Sequence, residues 1–217
     1  MNKVAVILSG SGVFDGAEIH ESVLTMLALS QRGVAYQCFA PDISQLHVVN
    51  HLTGDVVETE PRNVLVEAAR IARGNVLPVS ALAAVDYDAL LVPGGFGAAK
   101  NLCNFALVGA NCQVEPSVLR ACREFAELAK PTGYMCIAPV LAARVYGEGV
   151  RLTIGNDKET ADALRIMGAE HVDCEVDDIV VDKTHKLVTT PAYMLAKDIA
   201  EAAQGINKLV DAVLAFR

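Results

Sequence analysis

Residues 132–146 read TGYMCIAPVLAARVY, a strand-like run that leads directly into a helical one. The first four residues form a short apolar segment typical of a buried strand, and Pro139 suits the first turn of the following helix. Cys136 therefore lies at a strand-to-helix turn. The start of a helix presents unpaired N–H groups and a positive dipole end, which favour a thiolate over a thiol. This segment predicts a reactive cysteine with a lowered pKa.

The same alternation of strand and helix continues on both sides of this segment. Short apolar runs predict strands at residues 3–9, 36–40, 90–92, 132–135, 179–181 and 187–189. Helical spacing predicts helices at residues 17–32, 64–72, 117–129, 139–145, 158–167 and 196–214, with Ser117 and Asp157 as N-caps. Continuous apolar strands favour a mostly parallel sheet with helices on both faces. No linker divides residues 1–217, so we predict a single α/β domain.

Composition and charge exclude several classes of function. Apolar residues make up 53% of the 217 residues and the mean hydropathy is +0.35, so we expect a sizeable core. No apolar run approaches the roughly 20 residues of a membrane helix, and the N-terminus does not resemble a signal peptide. We therefore expect no membrane partner and a cytoplasmic location. The net charge of −8 argues against nucleic acid as a partner, because phosphate binding needs clustered Lys and Arg.

The six cysteines are scattered, with no C-x-x-C pair, and are predicted to be free thiols. Cys38 and Cys122 fall on predicted apolar faces, whereas Cys103 and Cys112 fall in a less regular segment. A buried core thiol is also the alternative interpretation of Cys136. The five histidines are equally dispersed and no Cys/His spacing matches a structural zinc site, so no metal is predicted.

Four segments are predicted to meet at one edge of the sheet, because ligands of parallel sheets bind at the carboxyl ends of the strands. These segments are residues 10–18, residues 93–101, the turn at Cys136 and residues 190–193. The N–H of Ile137, with those of Gly94 and Gly95, would hold the oxyanion that forms when sulfur adds to a carbonyl. The predicted substrate-binding residues in these segments are Ser11, Phe96 and Thr190.

Glu18 is the second catalytic candidate, because a carboxylate at the start of a helix interacts favourably with the helix dipole. If Glu18 faces Cys136, the two groups share a proton as a coupled pair; otherwise Glu18 is only a first-turn acid. His20 and Glu21 lie nearby in sequence but at different helical angles from Glu18. His20 is about 200° away around the helix and is not the predicted base. The spacing G-x-G-x-x-x-G from Gly10 to Gly16 departs from the dinucleotide fingerprint, so no nucleotide cofactor is predicted.

Five segments taken in order resemble one family. They are SGSGVFDGAEIHE (9–21), RNVLVEAARIARG (62–74), VPGGFGAAKNL (92–102), YMCIAPVLAA (134–143) and KLVTTPAYM (186–194). Together they resemble the ElbB-like group, also called sigma cross-reacting or enhancing-lycopene-biosynthesis proteins. This group belongs to the class I glutamine amidotransferase-like and PfpI superfamily. The resemblance extends from Val4 to about Val213.

The resemblance implies a flavodoxin-like three-layer α/β sandwich and a homodimer, with Cys136 as nucleophile and Glu18 as its carboxylate partner. It also implies glyoxalase III-type chemistry on glyoxal or methylglyoxal. In that reaction Cys136 forms a hemithioacetal, Glu18 relays a proton, and water releases the 2-hydroxy acid. No glutathione, metal or nucleotide is needed, so the expected cofactor is none and the expected partner is a small dicarbonyl substrate.

Two departures bear on this prediction. Amidotransferases and PfpI-type peptidases pair cysteine with histidine, whereas Ile137 follows Cys136 and His185 falls in a predicted turn away from the strand ends. Amidotransferase activity is therefore not predicted. Ser11 replaces the cysteine of the group's S-G-C-G loop. If that cysteine takes part in chemistry, this chain has lost the role; if it only lines the pocket, serine changes little. The alternative functions are a redox or stress-response protein with an oxidisable Cys136, and an accessory protein of isoprenoid metabolism.

Overall fold

In the computed structural model, which describes residues 3–216, a seven-stranded sheet has the order β3-β2-β1-β4-β5-β9-β8. Its strands are β1 (Lys3–Ile7), β2 (Ala35–Ala40), β3 (Val76–Pro78), β4 (Ala89–Val92), β5 (Thr132–Met135), β8 (Val180–Asp182) and β9 (Leu187–Thr190). Neighbouring strands are parallel except β8, which is antiparallel to β9. A separate parallel pair is formed by β6 (Arg151–Leu152) and β7 (Glu170–His171).

Helices connect these strands and cover the sheet. They are α1 (Ile19–Gln31), α2 (Val64–Ile71), α3 (Phe96–Lys100), α4 (Phe105–Val108), α5 (Pro116–Glu127), α6 (Pro139–Tyr146), α7 (Lys158–Ile166) and α8 (Ile199–Ala215). Within residues 3–216, no helix has the length and apolar character needed to cross a membrane.

The two faces of the sheet contact different helices. A Cβ on Gly133 of β5 would meet Leu209 and Val213 of α8, whereas the next residue, Tyr134, lies against Cys122 of α5. Helix α1 packs beside α8 on the first face, and α5 packs beside α6 on the second. Because side chains alternate across a strand, the apolar runs of the central strands fill the core on both faces. The predicted three-layer α/β sandwich is confirmed.

The strand order reverses between β1 and β4, and this position determines where the site lies. The loops that follow these two strands leave the same edge of the sheet side by side. Their backbones contact directly, because Glu18 N–H donates to Gly94 O at 2.9 Å and Gly97 N–H donates to Gly16 O at 2.9 Å. Two of the four predicted loop segments therefore form one continuous surface.

The ends of two helices differ from their predicted positions for local reasons. Helix α5 begins at Pro116 rather than after Ser117, because the Glu115 carboxylate accepts an N–H of the first turn. Helix α8 begins at Ile199, since the Asp198 side chain accepts two N–H groups of its first turn. The short strands β3, β6 and β7 were not predicted, because two or three residues carry too little periodicity to be recognised.

Candidate active site

Cys136 occupies a sharp turn between β5 and α6. Its backbone N–H donates to Thr190 O at 3.0 Å, which extends the pairing of β5 with β9 by one residue. Its φ of +59° lies in the left-handed region, which costs a non-glycine residue about 1 kcal/mol. This strained geometry is the one found in nucleophile elbows. The Cys136 side chain thus leaves the sheet at the carboxyl edge, and the residue is 7% exposed.

Glu21, rather than Glu18, contacts the Cys136 sulfur. The Glu21 carboxylate is completely buried and hydrogen-bonds the Cys136 thiol. Its Oε2 accepts the Gly94 N–H at 2.8 Å, and its Oε1 accepts the Tyr193 N–H at 3.1 Å. This one carboxylate therefore joins helix α1 to the turn after β5 and to the loops after β4 and β9.

Glu18 supports this arrangement indirectly, through its contacts with the first turn of α1. It is the N-cap of α1, and its Oε2 accepts the Glu21 N–H at 2.6 Å. The Ser22 hydroxyl donates to the Glu18 carbonyl at 2.7 Å, which fixes the first turn of the helix. Glu18 thereby holds the backbone of Glu21 in place, and its negative charge raises the pKa of the Glu21 carboxyl.

Burial controls the protonation of the Cys136–Glu21 pair. Desolvation raises the pKa of Glu21 to about 7, although the N–H groups that it accepts oppose this rise. Desolvation and the Glu21 charge also raise the pKa of Cys136 well above its ordinary value, despite hydrogen bonds from the N–H groups of Gly95 and Ile137. The predicted lowering of the Cys136 pKa is therefore reversed. The pair retains at least one proton at neutral pH, with the thiol donating to the carboxylate.

Two glycines allow the loop after β4 to approach the elbow. A Cβ on Gly94 would lie 2.4 Å from Cys136 Cβ and 2.9 Å from Glu21 Oε2, so no side chain fits there. Gly95 has φ +90° and is the N-cap of α3. Gly94, Gly95 and Ile137 lie beside Cys136, but the Gly94 N–H is donated to Glu21. The N–H groups available to an oxyanion are those of Gly95 and Ile137.

The three predicted substrate-binding residues differ in how exposed they are. Phe96 follows the Gly94-Gly95 pair and is 49% exposed, so its ring is available at the surface of the site. Ser11 is half-buried in the loop after β1. Thr190 is completely buried, and its hydroxyl donates to Asp178 O at 2.7 Å. Thr190 therefore contributes its backbone carbonyl to the elbow, whereas its hydroxyl is already hydrogen-bonded to Asp178.

Two histidines lie outside the contact between Cys136 and Glu21. His20 Nδ1 lies 2.7 Å from the Tyr193 hydroxyl, at an exposed position on the rim. His185 Nδ1 lies 2.7 Å from Asp182, in the turn that enters β9 at the opposite edge of the sheet from Cys136. His185 therefore cannot serve as a base for Cys136. Among the described residues, no group of three or more His, Cys, Asp or Glu side chains is arranged to hold a metal ion.

Sequence reasoning missed Glu21, although a signal was present. Glu18 and Glu21 are three residues apart at the N-cap and N3 positions, so they lie on the same face of α1. An acid at N3 ordinarily bonds back to the N-cap N–H. Here the Glu18 N–H is already donated to Gly94 O, which leaves Glu21 free to reach the elbow.

No family model matches the chain. The human protein named glutamine amidotransferase-like class 1 domain-containing protein 3, mitochondrial, is 46% identical over 98% of this chain and 82% of its own length. The zebrafish ES1 protein, mitochondrial, is 33% identical over 90% of this chain and 78% of its own length. An isoprenoid biosynthesis protein with an amidotransferase-like domain from Ehrlichia chaffeensis is 36% identical, with TM-score 0.92 over 99% of this chain and 98% of that chain.

A more distant solved structure, glyoxalase III from Candida albicans, has TM-score 0.65 and 15% identity over 100% of this chain and 98% of that chain. This similarity shows a common fold alone. The predicted cytoplasmic location is contradicted by the relatives, since the human, rat and zebrafish proteins are each named mitochondrial. Sequence and fold together place this chain in the ElbB-like and ES1 group of class I glutamine amidotransferase-like proteins.

Proposed function

We propose that this protein is a cofactor-independent glyoxalase of the glyoxalase III type, which converts glyoxal or methylglyoxal and water to the 2-hydroxy acid. The observation that carries the proposal is the buried contact between the Cys136 thiol and the Glu21 carboxylate. A carboxyl with a pKa raised to about 7 is suited to accept and return protons near neutral pH. Glu21 therefore takes the proton-relay role that the resemblance assigned to Glu18.

In the first step, the Cys136 sulfur adds to the aldehyde carbon while the thiol proton passes to Glu21. A C–S bond forms, the carbonyl π bond breaks, and the oxygen becomes an oxyanion. The N–H groups of Gly95 and Ile137, which hydrogen-bond the sulfur in the resting site, are the candidate donors to that oxygen. Glu21 then returns the proton to the oxyanion. The Cys136 thiol, whose pKa is raised, thus loses its proton to Glu21 only while the C–S bond forms.

The second step moves a hydrogen between the two substrate carbons. Glu21 removes the hydrogen of the hemithioacetal carbon as a proton, which gives an enediol, and delivers a proton to the neighbouring carbon. The hydroxyl proton of the first carbon moves to the oxygen of the second, so that a C=O bond forms at sulfur and a thioester of the 2-hydroxy acid results. One carbon is oxidised and the other is reduced, so no external oxidant or reductant is consumed. Water then hydrolyses the thioester, the C–S bond breaks, and Cys136 regains its proton.

The structure disfavours one of the two alternative functions, the redox protein, and gives no mechanism for the other, the accessory protein of isoprenoid metabolism. Oxidation of a cysteine depends on its thiolate character, so the raised pKa of Cys136 disfavours a peroxide sensor at this residue. An accessory role in isoprenoid metabolism is supported by the name of the Ehrlichia chaffeensis structure. That name specifies no chemistry, whereas the Cys136–Glu21 pair supports a definite reaction.

Turnover of glyoxal and methylglyoxal by purified protein tests the proposal. The 2-hydroxy acid is quantified by chromatography, and it must exceed the molar amount of protein, because dicarbonyls also modify thiols stoichiometrically. We expect Cys136→Ala to abolish turnover and Glu21→Gln to reduce it by at least about a hundredfold, the contribution of a general base. Cys174→Ala is the matched control, since Cys174 is a partly exposed thiol outside the site. Turnover that survives Cys136→Ala would overturn the proposal.

A further inference from the structure

A second pair of cysteines lies outside the candidate active site. Cys103 forms an isolated antiparallel bridge with Val114, and Cys112 lies two residues before Val114. Because alternate residues of an extended segment share a face, the side chains of Cys103 and Cys112 emerge on the same side of this pairing. The two sulfurs lie near enough for each thiol to shift the pKa of the other. Two thiols outside the Cys136 site are thus neighbours.

The segment that joins the two thiols is a surface loop closed at its base. Asn104 N–H donates to Gln113 O at 3.2 Å, and the Asn104 side chain accepts the Gln113 N–H at 2.7 Å. Above this base, Leu107 is 59% exposed and Val108 is 46% exposed. Cys112 is buried, but the residues on either side of it are exposed. The two buried thiols therefore lie directly beneath a surface loop.

Arg144 of α6 makes the two sulfurs unequal. The half-buried guanidinium donates to Ala110 O and lies near enough to Cys112 to lower the pKa of that thiol. Within residues 3–216 it forms no ion pair with a carboxylate, and its buried Nε–H has no hydrogen-bond partner. A cation held in this way is balanced by an anion, and the Cys112 thiolate is the group in contact with it.

We infer that Cys103 and Cys112 form a redox-active dithiol, which a hydroperoxide converts to an intramolecular disulfide, with Cys112 as the attacking thiolate and Cys103 as the resolving thiol. This site is separate from the proposed dicarbonyl chemistry and does not depend on it.

The electrostatics of the pair agree with these roles. The neighbouring Cys103 and the positive charge of Arg144 lower the pKa of Cys112. The neighbouring Cys112 and burial raise the pKa of Cys103, which therefore keeps its proton until the second step. A low-pKa thiol beside a protonated resolving thiol is the arrangement of redox-sensitive cysteine pairs.

The reaction balances with a hydroperoxide as the only oxidant. The Cys112 thiolate attacks one peroxide oxygen, so that an S–O bond forms, the O–O bond breaks, and the leaving oxygen takes up a proton. The Cys103 sulfur then attacks the resulting sulfenic acid, an S–S bond forms, the S–O bond breaks, and water leaves. With hydrogen peroxide, two thiols and one peroxide give one disulfide and two waters, and a small thiol reverses the change.

Oxidation also changes a contact towards the candidate active site. Cys103 Sγ donates to Ala98 O at 3.3 Å, and Ala98 lies in α3, whose N-cap is Gly95. The disulfide has no S–H, so this hydrogen bond is lost on oxidation.

Mass spectrometry of the full-length wild-type protein tests the inference. The protein is treated with a small molar excess of hydrogen peroxide, free thiols are blocked with N-ethylmaleimide, and the chain is digested with chymotrypsin, which cleaves after Phe105. We expect the peptides of Cys103 and Cys112 to be joined and lighter by two hydrogen atoms, with the link removed by dithiothreitol. If both thiols remain alkylated while Cys136 or Cys174 is oxidised, the inference is overturned.

Variants assign the two roles. Cys103→Ser should leave Cys112 as a sulfenic acid that dimedone traps, and failure of dimedone to label Cys112 would contradict its attacking role. Arg144→Leu should slow disulfide formation several-fold at about pH 5, below the Cys112 pKa of about 6, because a rise of about one unit there removes most of the thiolate. Cys122→Ser, which removes another buried thiol, should form the link at the wild-type rate. Cys136→Ala should also form it, which separates this test from that of the proposed enzyme.

Discussion

Replacement of Glu21 by glutamine is expected to remove a pH dependence of the free energy of unfolding. Burial raises the pKa of Glu21 from an ordinary 4.5 to about 7. The folded protein thus holds this proton more tightly than the unfolded chain, so ionisation of Glu21 lowers stability as pH rises from 4.5 to about 7. Each pKa unit corresponds to about 1.4 kcal/mol, which gives a total loss of roughly 3 kcal/mol. The loss is complete above pH 7 and absent below pH 4.5.

Urea unfolding followed by circular dichroism measures this effect, with wild type and Glu21→Gln compared from about pH 5 to about pH 8. Other titrating groups cancel in the difference between the two proteins. We expect the wild type to lose roughly 2 to 3 kcal/mol relative to the variant over this range. Glu148→Gln, which alters an exposed carboxyl, should follow the wild type. Parallel pH profiles for wild type and Glu21→Gln would refute the reasoning.

Substitutions at three positions test the geometry of the elbow. Gly94→Ala places a Cβ 2.4 Å from Cys136 Cβ and should destabilise the protein by roughly 1 to 3 kcal/mol, measured by thermal unfolding; an unchanged melting temperature would contradict the close packing. Cys136→Gly should be more stable than Cys136→Ala by about 1 kcal/mol, because glycine accepts φ +59° without strain, and equal stabilities would argue against that strain. Glu18→Ala removes the N-cap of α1 and should cost about 1 kcal/mol in urea unfolding, whereas Glu18→Asn should recover most of it.

The parts of the fold with strong local signals could be predicted from the sequence. The runs before Ser9, Pro93 and Cys136 are largely apolar, and each forms a buried strand of the parallel sheet. Pro139 and Asp157 marked helix starts that the structure contains. The position of Cys136 at the strand-to-helix turn followed from the same signals.

The protonation of the site could not be predicted, because it depends on tertiary burial. The turn at Cys136 supplies N–H groups that favour a thiolate, but the depth of the pocket and the Glu21 carboxylate outweigh them. The contact between Cys103 and Cys112 was also hidden, since it depends on how the loop between them closes. Local sequence specified which groups reach the sheet edge, whereas their burial and mutual contacts required the folded chain.

The pH dependence of glyoxal turnover is the sharpest test of proton transfer from Cys136 to Glu21. Only the ionised carboxylate accepts the thiol proton, so kcat/KM of the wild type should rise with pH and reach half its maximum near pH 7, the pKa of Glu21. Glu21→Gln should lose this rise together with most of the turnover. A wild-type profile that is flat through neutral pH, or a midpoint that is unchanged in Glu21→Gln, would contradict the proposed mechanism.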